Sequence, residues 1–113
     1  MGIHKGYVGR LTIPLSGNAS NILASKVLKH ARAIILETAE TAFTGTISVQ
    51  SSAEEEAGAS AMKDLYDGAT AVVVGINRVQ QWNVNAGAAV RLRSSGTEAA
   101  ARVVDLYALL DTT

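Results

Sequence analysis

The stretch "RVQQWNVNAGAAVRLRSSG", Arg78 to Gly96, decides the fold. In its second half Val90 and Leu92 alternate with Arg91 and Arg93, a period of two that puts aliphatic side chains on one face and guanidinium groups on the other. That is the pattern of a β-strand with one wet face. "NAG", Asn85 to Gly87, holds residues that accept turn conformations, and the β-branched and aromatic run before it reads as a second strand. On this reading Val84 and Val90 face a core, while Arg91 and Arg93 project from the surface, available to carboxylates on a neighbouring protein.

Trp82 shares a strand face with Ile76, Arg78, Gln80 and Val84, so that face passes from core to surface along the strand. An exposed indole would anchor an interface or stack on a sugar; a buried one is core. Arg78, Trp82, Arg91 and Arg93 are therefore the candidate interface residues.

Outward from this stretch, similar short runs recur: "GYVGRLTIPL", "RAIILET", "GTISVQ", "TAVVVG" and "ARVVDLYALL", separated by "SGNASN", "SSAEEEAGAS", "DGAT" and "SSGTEA". Many short strands between turn clusters predict an all-β chain, an antiparallel β-sandwich of jelly-roll-like type. In "GTISVQ" Ile47 and Val49 oppose Thr46, Ser48 and Gln50, again with one wet face. "TAVVVG" is apolar throughout and is expected as a central strand covered on both sides. "ASKVLKHARA" spaces Val27, Leu28 and Ala31 at helical intervals behind a capping Ser25, which predicts one short helical turn near residues 25–31. A helix from Glu98 competes with a final strand over "RVVDLYALL", and the β-branched and aromatic content favours the strand. "SSAEEEAGAS" reads as an exposed loop, because three consecutive glutamates are not buried unpaired.

At 113 residues the chain is one domain in size, expected as an N-terminal arm over 1–9 and a sandwich over 10–113. It has no cysteine, which excludes disulfides, thiol catalysis and Cys-ligated zinc. Ten basic residues balance ten acidic ones, so no net field attracts nucleic acid. The apolar runs are too short to cross a bilayer and no signal peptide is evident, so a soluble, cytoplasmically made product is expected. His4 and His30 stand in unlike contexts, a tail and a surface turn, with no metal-ligand spacing around them. No catalytic motif, nucleophile elbow or phosphate loop is present, so neither an enzyme nor a cofactor is expected. Apolar residues make up 48% of the chain and charged ones 18%, a balance that leaves a low-charge surface suited to association.

The order "RAIILETAETAFTGTISVQSS", "MKDLYDGATAVVV" and "VNAGAAVRLRSSGTEAAARVVDLYAL" resembles small β-sandwich proteins encoded among the virion genes of tailed bacteriophages, over about residues 10–110. The resemblance implies a structural virion protein, made in the host bacterial cytoplasm and placed in the virion. Such proteins include capsid cement or decoration proteins, head-fibre bases and tail or neck components. A cement protein would assemble as an oligomer, commonly a trimer, on the major capsid protein and stabilise it. The segment "SSAEEEAGASAMKDL" and Trp82 depart from that pattern. A carbohydrate-binding β-sandwich module, with Trp82 or Tyr66 as stacking platform, is the alternative; an aromatic content of 4% argues against it.

Overall fold

The longest elements are the first and the last. In the computed structural model, which describes residues 2–56 and 58–112, β1 (Gly2–Ile13) and β10 (Arg102–Thr112) pair antiparallel end to end, with a bulge at Val8. Between them follow β2 (Leu23–Ala24), the helical turn α1 (Lys26–Lys29), β3 (Ala33–Thr38) and β4 (Ile47–Ser52). A 3-10 turn (Ala59–Ala61) leads to β5 (Lys63–Asp64), β6 (Tyr66–Asp67), β7 (Thr70–Ala71), β8 (Arg78–Trp82) and β9 (Ala89–Ser94).

Strand order is β1-β10-β3-β8 in one sheet and β2-β9-β4-β5 in the other. The pairs β1/β10, β2/β9, β3/β8 and β4/β5 are nested, all antiparallel, and belong alternately to the two sheets. A long hairpin folded over on itself in this way is a jelly roll, the architecture that the alternating strands predicted.

The core lies between the sheets. Leu11, Ile13, Ile34, Leu36, Val104 and Leu106 enter it from the first sheet, and Ile47, Val49, Val90 and Leu92 from the second. Each such fully buried aliphatic side chain contributes about 1.5–3 kcal/mol. Trp82 stands opposite Ile34 and packs its half-buried ring on this cluster, so the core alternative holds for it. Val84 packs there too.

Several expectations need correction. From Gly2 onward the anticipated arm is the first half of β1, and His4 is an exposed strand residue, because β10 is long enough to pair with the whole segment. "TAVVVG" is not a central strand: Val72 and Val74 hydrogen-bond along the outer edge of β4, at 3.0 Å to Val49 and 2.8 Å to Ile47. Val72 and Val74 are buried and Val73 is half-buried, so the unbroken apolar run reflects a covered edge rather than two covered faces. The last segment is strand, as favoured. Ser25 caps α1 by accepting from the Val27 N–H at 3.1 Å, and the turn falls where the helical spacing placed it.

Asn85 orders the turn in the opening stretch. Its amide donates to the carbonyls of Lys29 (3.1 Å) and Ala31 (2.8 Å), and its Oδ1 accepts from the Gly87 N–H at 2.9 Å. Gly87 has φ 72° and lies so close to the Ser52 carbonyl that no Cβ fits.

At one end of the sandwich a buried carboxylate joins the loops. Glu98, 1% exposed, accepts from the backbone N–H groups of Thr44 and Gly45 (both 2.9 Å), the Ser94 hydroxyl (2.6 Å) and Arg102 Nε (2.8 Å). Burial pushes this carboxyl up, and the hydrogen bonds from Ser94, Thr44, Arg102 and Gly45 outweigh it, holding it at about 2. Arg102 also pairs with Glu40 at 3.6 Å, and the Glu40 carbonyl accepts from the Asn77 N–H at 2.8 Å. The β3–β4, β7–β8 and β9–β10 connections are thereby tied to one buried charge.

Candidate functional site

Two outward-facing sheet surfaces carry the side chains able to recognise something. On the first sheet the register places Tyr7, Tyr107, Ile35 and Gln81 in one row and Arg10, Asp105, Glu37 and Val79 in the next. Strand alternation turns these outward, since Leu11, Leu36 and Leu106 point into the core. Ala33, Ile35 and Leu109 form a second apolar cluster here, with Tyr107 packed on it, outside the main core. Beside it Tyr7 and Val79 are 58% and 62% exposed.

The charges of this face are largely satisfied from within it. Arg10 grips Asp105 through two hydrogen bonds of 3.1 and 3.3 Å, and the Tyr7 hydroxyl donates to the same carboxylate at 2.9 Å. Arg10 lowers the Asp105 carboxyl, against the effect of burial, and Tyr7 lowers it further; the bond to Asp105 raises the Tyr7 phenol in turn. Arg32 pairs with Asp111 at 3.2 Å. Lys5 Nζ lies 4.7 Å from the centre of the Tyr107 ring, and the two tyrosine rings meet at 5.2 Å and 58°. A shallow groove of about 390 Å³ runs alongside, lined by Arg10, Glu37, Asp105, Val79, Val103 and Arg78 among others. Arg78 stands at its end, with Nε donating to the Ile76 carbonyl at 3.1 Å. Such a face buries well against protein, because little charge must be stripped of water without a partner.

The outer face of the second sheet is built the other way. Arg93 is exposed above a polar depression of about 560 Å³ whose lining includes Thr46, Ser48, Gln50, Ser95 and the carboxylate of Asp64. Arg91, expected as a surface residue, is only 6% exposed. Its Nε donates to Gln50 Oε1 at 2.8 Å, and Gln50 Nε2 donates to Asp64 Oδ1 at 2.9 Å. Burial lowers the Arg91 pKa, and the neighbouring charge of Arg93 lowers it further. Neither arginine takes part in an ion pair among the described residues.

The four candidate residues therefore do not converge. Arg78 and Trp82 belong to the first sheet, with Trp82 turned inward; Arg91 and Arg93 share a face of the second. Sequence reasoning missed Tyr7 and Tyr107, whose signal was a tyrosine at an outward position in each of two long strands. Among the described residues no group of three His, Cys, Asp or Glu is placed to hold a metal ion, and no helix is long and apolar enough to cross a membrane. Compared with known proteins, the chain matches no family model, no curated protein and no solved structure.

Proposed function

We propose that this protein is a non-catalytic structural building block of a virion, a capsid cement or decoration protein of the tailed-phage type. In this reading it assembles with copies of itself, a trimer being the favoured state, and sits on the major capsid protein, which it stabilises. Its partners are proteins, not nucleic acid or membrane. The observation that carries the reading is the outer face of the first sheet, where an apolar cluster with exposed Tyr7 and Val79 lies beside the Arg10–Asp105 and Arg32–Asp111 ion pairs. Jelly rolls serve in viral capsids and also in lectins and cupins, so the fold is compatible with this role without selecting it.

The test is binding of the purified protein to capsids stripped of their accessory proteins, with its mass followed by light scattering. Val79→Glu places a charge on an exposed position and leaves the core untouched, so the variant is expected to fold and to lose capsid binding. Equal binding by the variant would refute the assignment of this face.

A second reading, sugar binding, is favoured by the Tyr7–Tyr107 pair beside the groove that Arg10, Glu37 and Asp105 line. It moves the stacking platform away from Trp82, whose ring packs on the core, and from Tyr66, which lies on the separate β6–β7 hairpin. Titration calorimetry with oligosaccharides separates the two: heat lost in Tyr7→Ala would support sugar recognition over capsid docking.

A further inference from the structure

We propose that Arg93, backed by Arg91, receives the acidic segment Glu54–Glu56 of a second copy of this chain. This rests on the building-block reading and names the contact between copies. Arg91 is nine-tenths buried, and its one hydrogen-bonded partner is the neutral amide of Gln50. A cation removed from water without an anion is costly, and Arg93 two positions along the same face adds like-charge repulsion. The depression at Arg93 is lined by the hydroxyls of Thr46, Ser48 and Ser95 and the amide of Asn18, groups that donate to carboxylate oxygens, and by one carboxylate, Asp64, which Gln50 Nε2 engages at 2.9 Å and which pairs with neither arginine. Two guanidinium groups against that one carboxylate leave an excess positive charge on this face, which an anion from outside the chain balances.

The chain itself carries a matching one. Glu55 is held by Lys29 at 2.8 Å, which anchors the loop to α1. Glu54 and Glu56 on either side of it are exposed and in no ion pair among the described residues. They are out of reach of their own Arg93, which stands opposite Ser48, whereas the loop begins after Ser52 at the other end of β4. Four strand residues span about 14 Å. Donor and acceptor thus sit at opposite ends of one sheet, the arrangement of a head-to-tail contact, which closes into a ring or extends as a filament.

The full-length chain is tested by sedimentation and light scattering over a dilution series. Arg93→Glu and the pair Glu54→Lys/Glu56→Lys, all at exposed positions, are each expected to weaken self-association about tenfold or more with circular dichroism unchanged. Combining the three substitutions in one chain recreates the opposite-charge pairing and is expected to restore the wild-type mass. Wild-type association should also fall as salt rises. An oligomer unaffected by Arg93→Glu overturns the contact and leaves the building-block reading standing. A wild type that stays monomeric at low salt overturns it too, and if that monomer also ignores stripped capsids the building-block reading falls with it.

Discussion

Glu98→Gln isolates the effect of a single buried charge. A carboxyl held at about 2 in the folded chain, against 4.5 for the ordinary group, gives the native state about 3 kcal/mol that the unfolded state lacks. The sign follows from the direction: the pKa is depressed on folding, so the contribution is complete above about pH 4.5 and is lost as pH falls through that value towards 2. Glutamine keeps the size of the side chain, but it removes the negative partner of Arg102 and replaces one acceptor oxygen with a donor facing existing donors. At neutral pH the variant should therefore be less stable by about 3 kcal/mol, within the 3–5 kcal/mol typical of breaking a buried pair. Gly45 makes the site unforgiving, because a Cβ there would meet the Ser94 and Ser95 hydroxyls at 2.6 and 2.7 Å, leaving the loop little room to relax.

Urea unfolding reports this difference through the fluorescence of Trp82, the one tryptophan, whose ring packs on the core. Other carboxylates, Asp105 among them, also titrate in acid, so the informative quantity is wild type minus variant at each pH. It should shrink from about 3 kcal/mol at neutral pH to near zero at about pH 2. A difference below about 1 kcal/mol at neutral pH, or one that does not change with pH, would refute the reasoning.

Gly87→Ala should lose at least about 1–2 kcal/mol in the same assay, from the positive φ alone, before the approach of the Ser52 carbonyl is counted. Asn85→Ala removes the amide that satisfies the Lys29 and Ala31 carbonyls and is expected to cost about 1–3 kcal/mol. Spectrophotometric titration should find Tyr7 ionising above the ordinary phenol range because it donates to Asp105, and Asp105→Asn should bring it down. Arg10→Ala, by contrast, should leave the urea midpoint nearly unchanged, since its ion pair is exposed to solvent.

Strand alternation made most of the architecture legible. Val90/Leu92 and Ile47/Val49 each show a period of two because each strand has one covered face, and those residues do enter the core. Where the covering was irregular the pattern misled. The 72–74 run is apolar because it closes a sheet edge, and no period separates that from a central strand. Arg91 failed for a related reason: alternation correctly turned it away from the core, but outward in a strand is not the same as exposed, and neighbouring elements bury it. Glu98 was unreadable, because four donors from three separate segments meet it only after folding. The tyrosine pair was equally hidden, since Tyr7 and Tyr107 are brought opposite one another by the pairing of the two ends of the chain.

The two outer faces differ in how salt should act on them, and that difference separates the two proposed contacts without any substitution. On the first sheet Arg10 and Asp105, and Arg32 and Asp111, neutralise each other before any partner arrives, so association through that face draws on apolar burial around Tyr7, Val79 and the Ile35 cluster. Burial of this kind is little affected by moderate salt. On the second sheet the two charges of Arg91 and Arg93 face a single carboxylate, Asp64, which pairs with neither, so a contact made there is electrostatic and is screened at an ionic strength of about 0.1 M and above. A particle-bound protein whose copies separate from one another as salt rises, while each stays on the capsid, would behave as this division requires. Simultaneous loss of both contacts would mean that one face does both jobs.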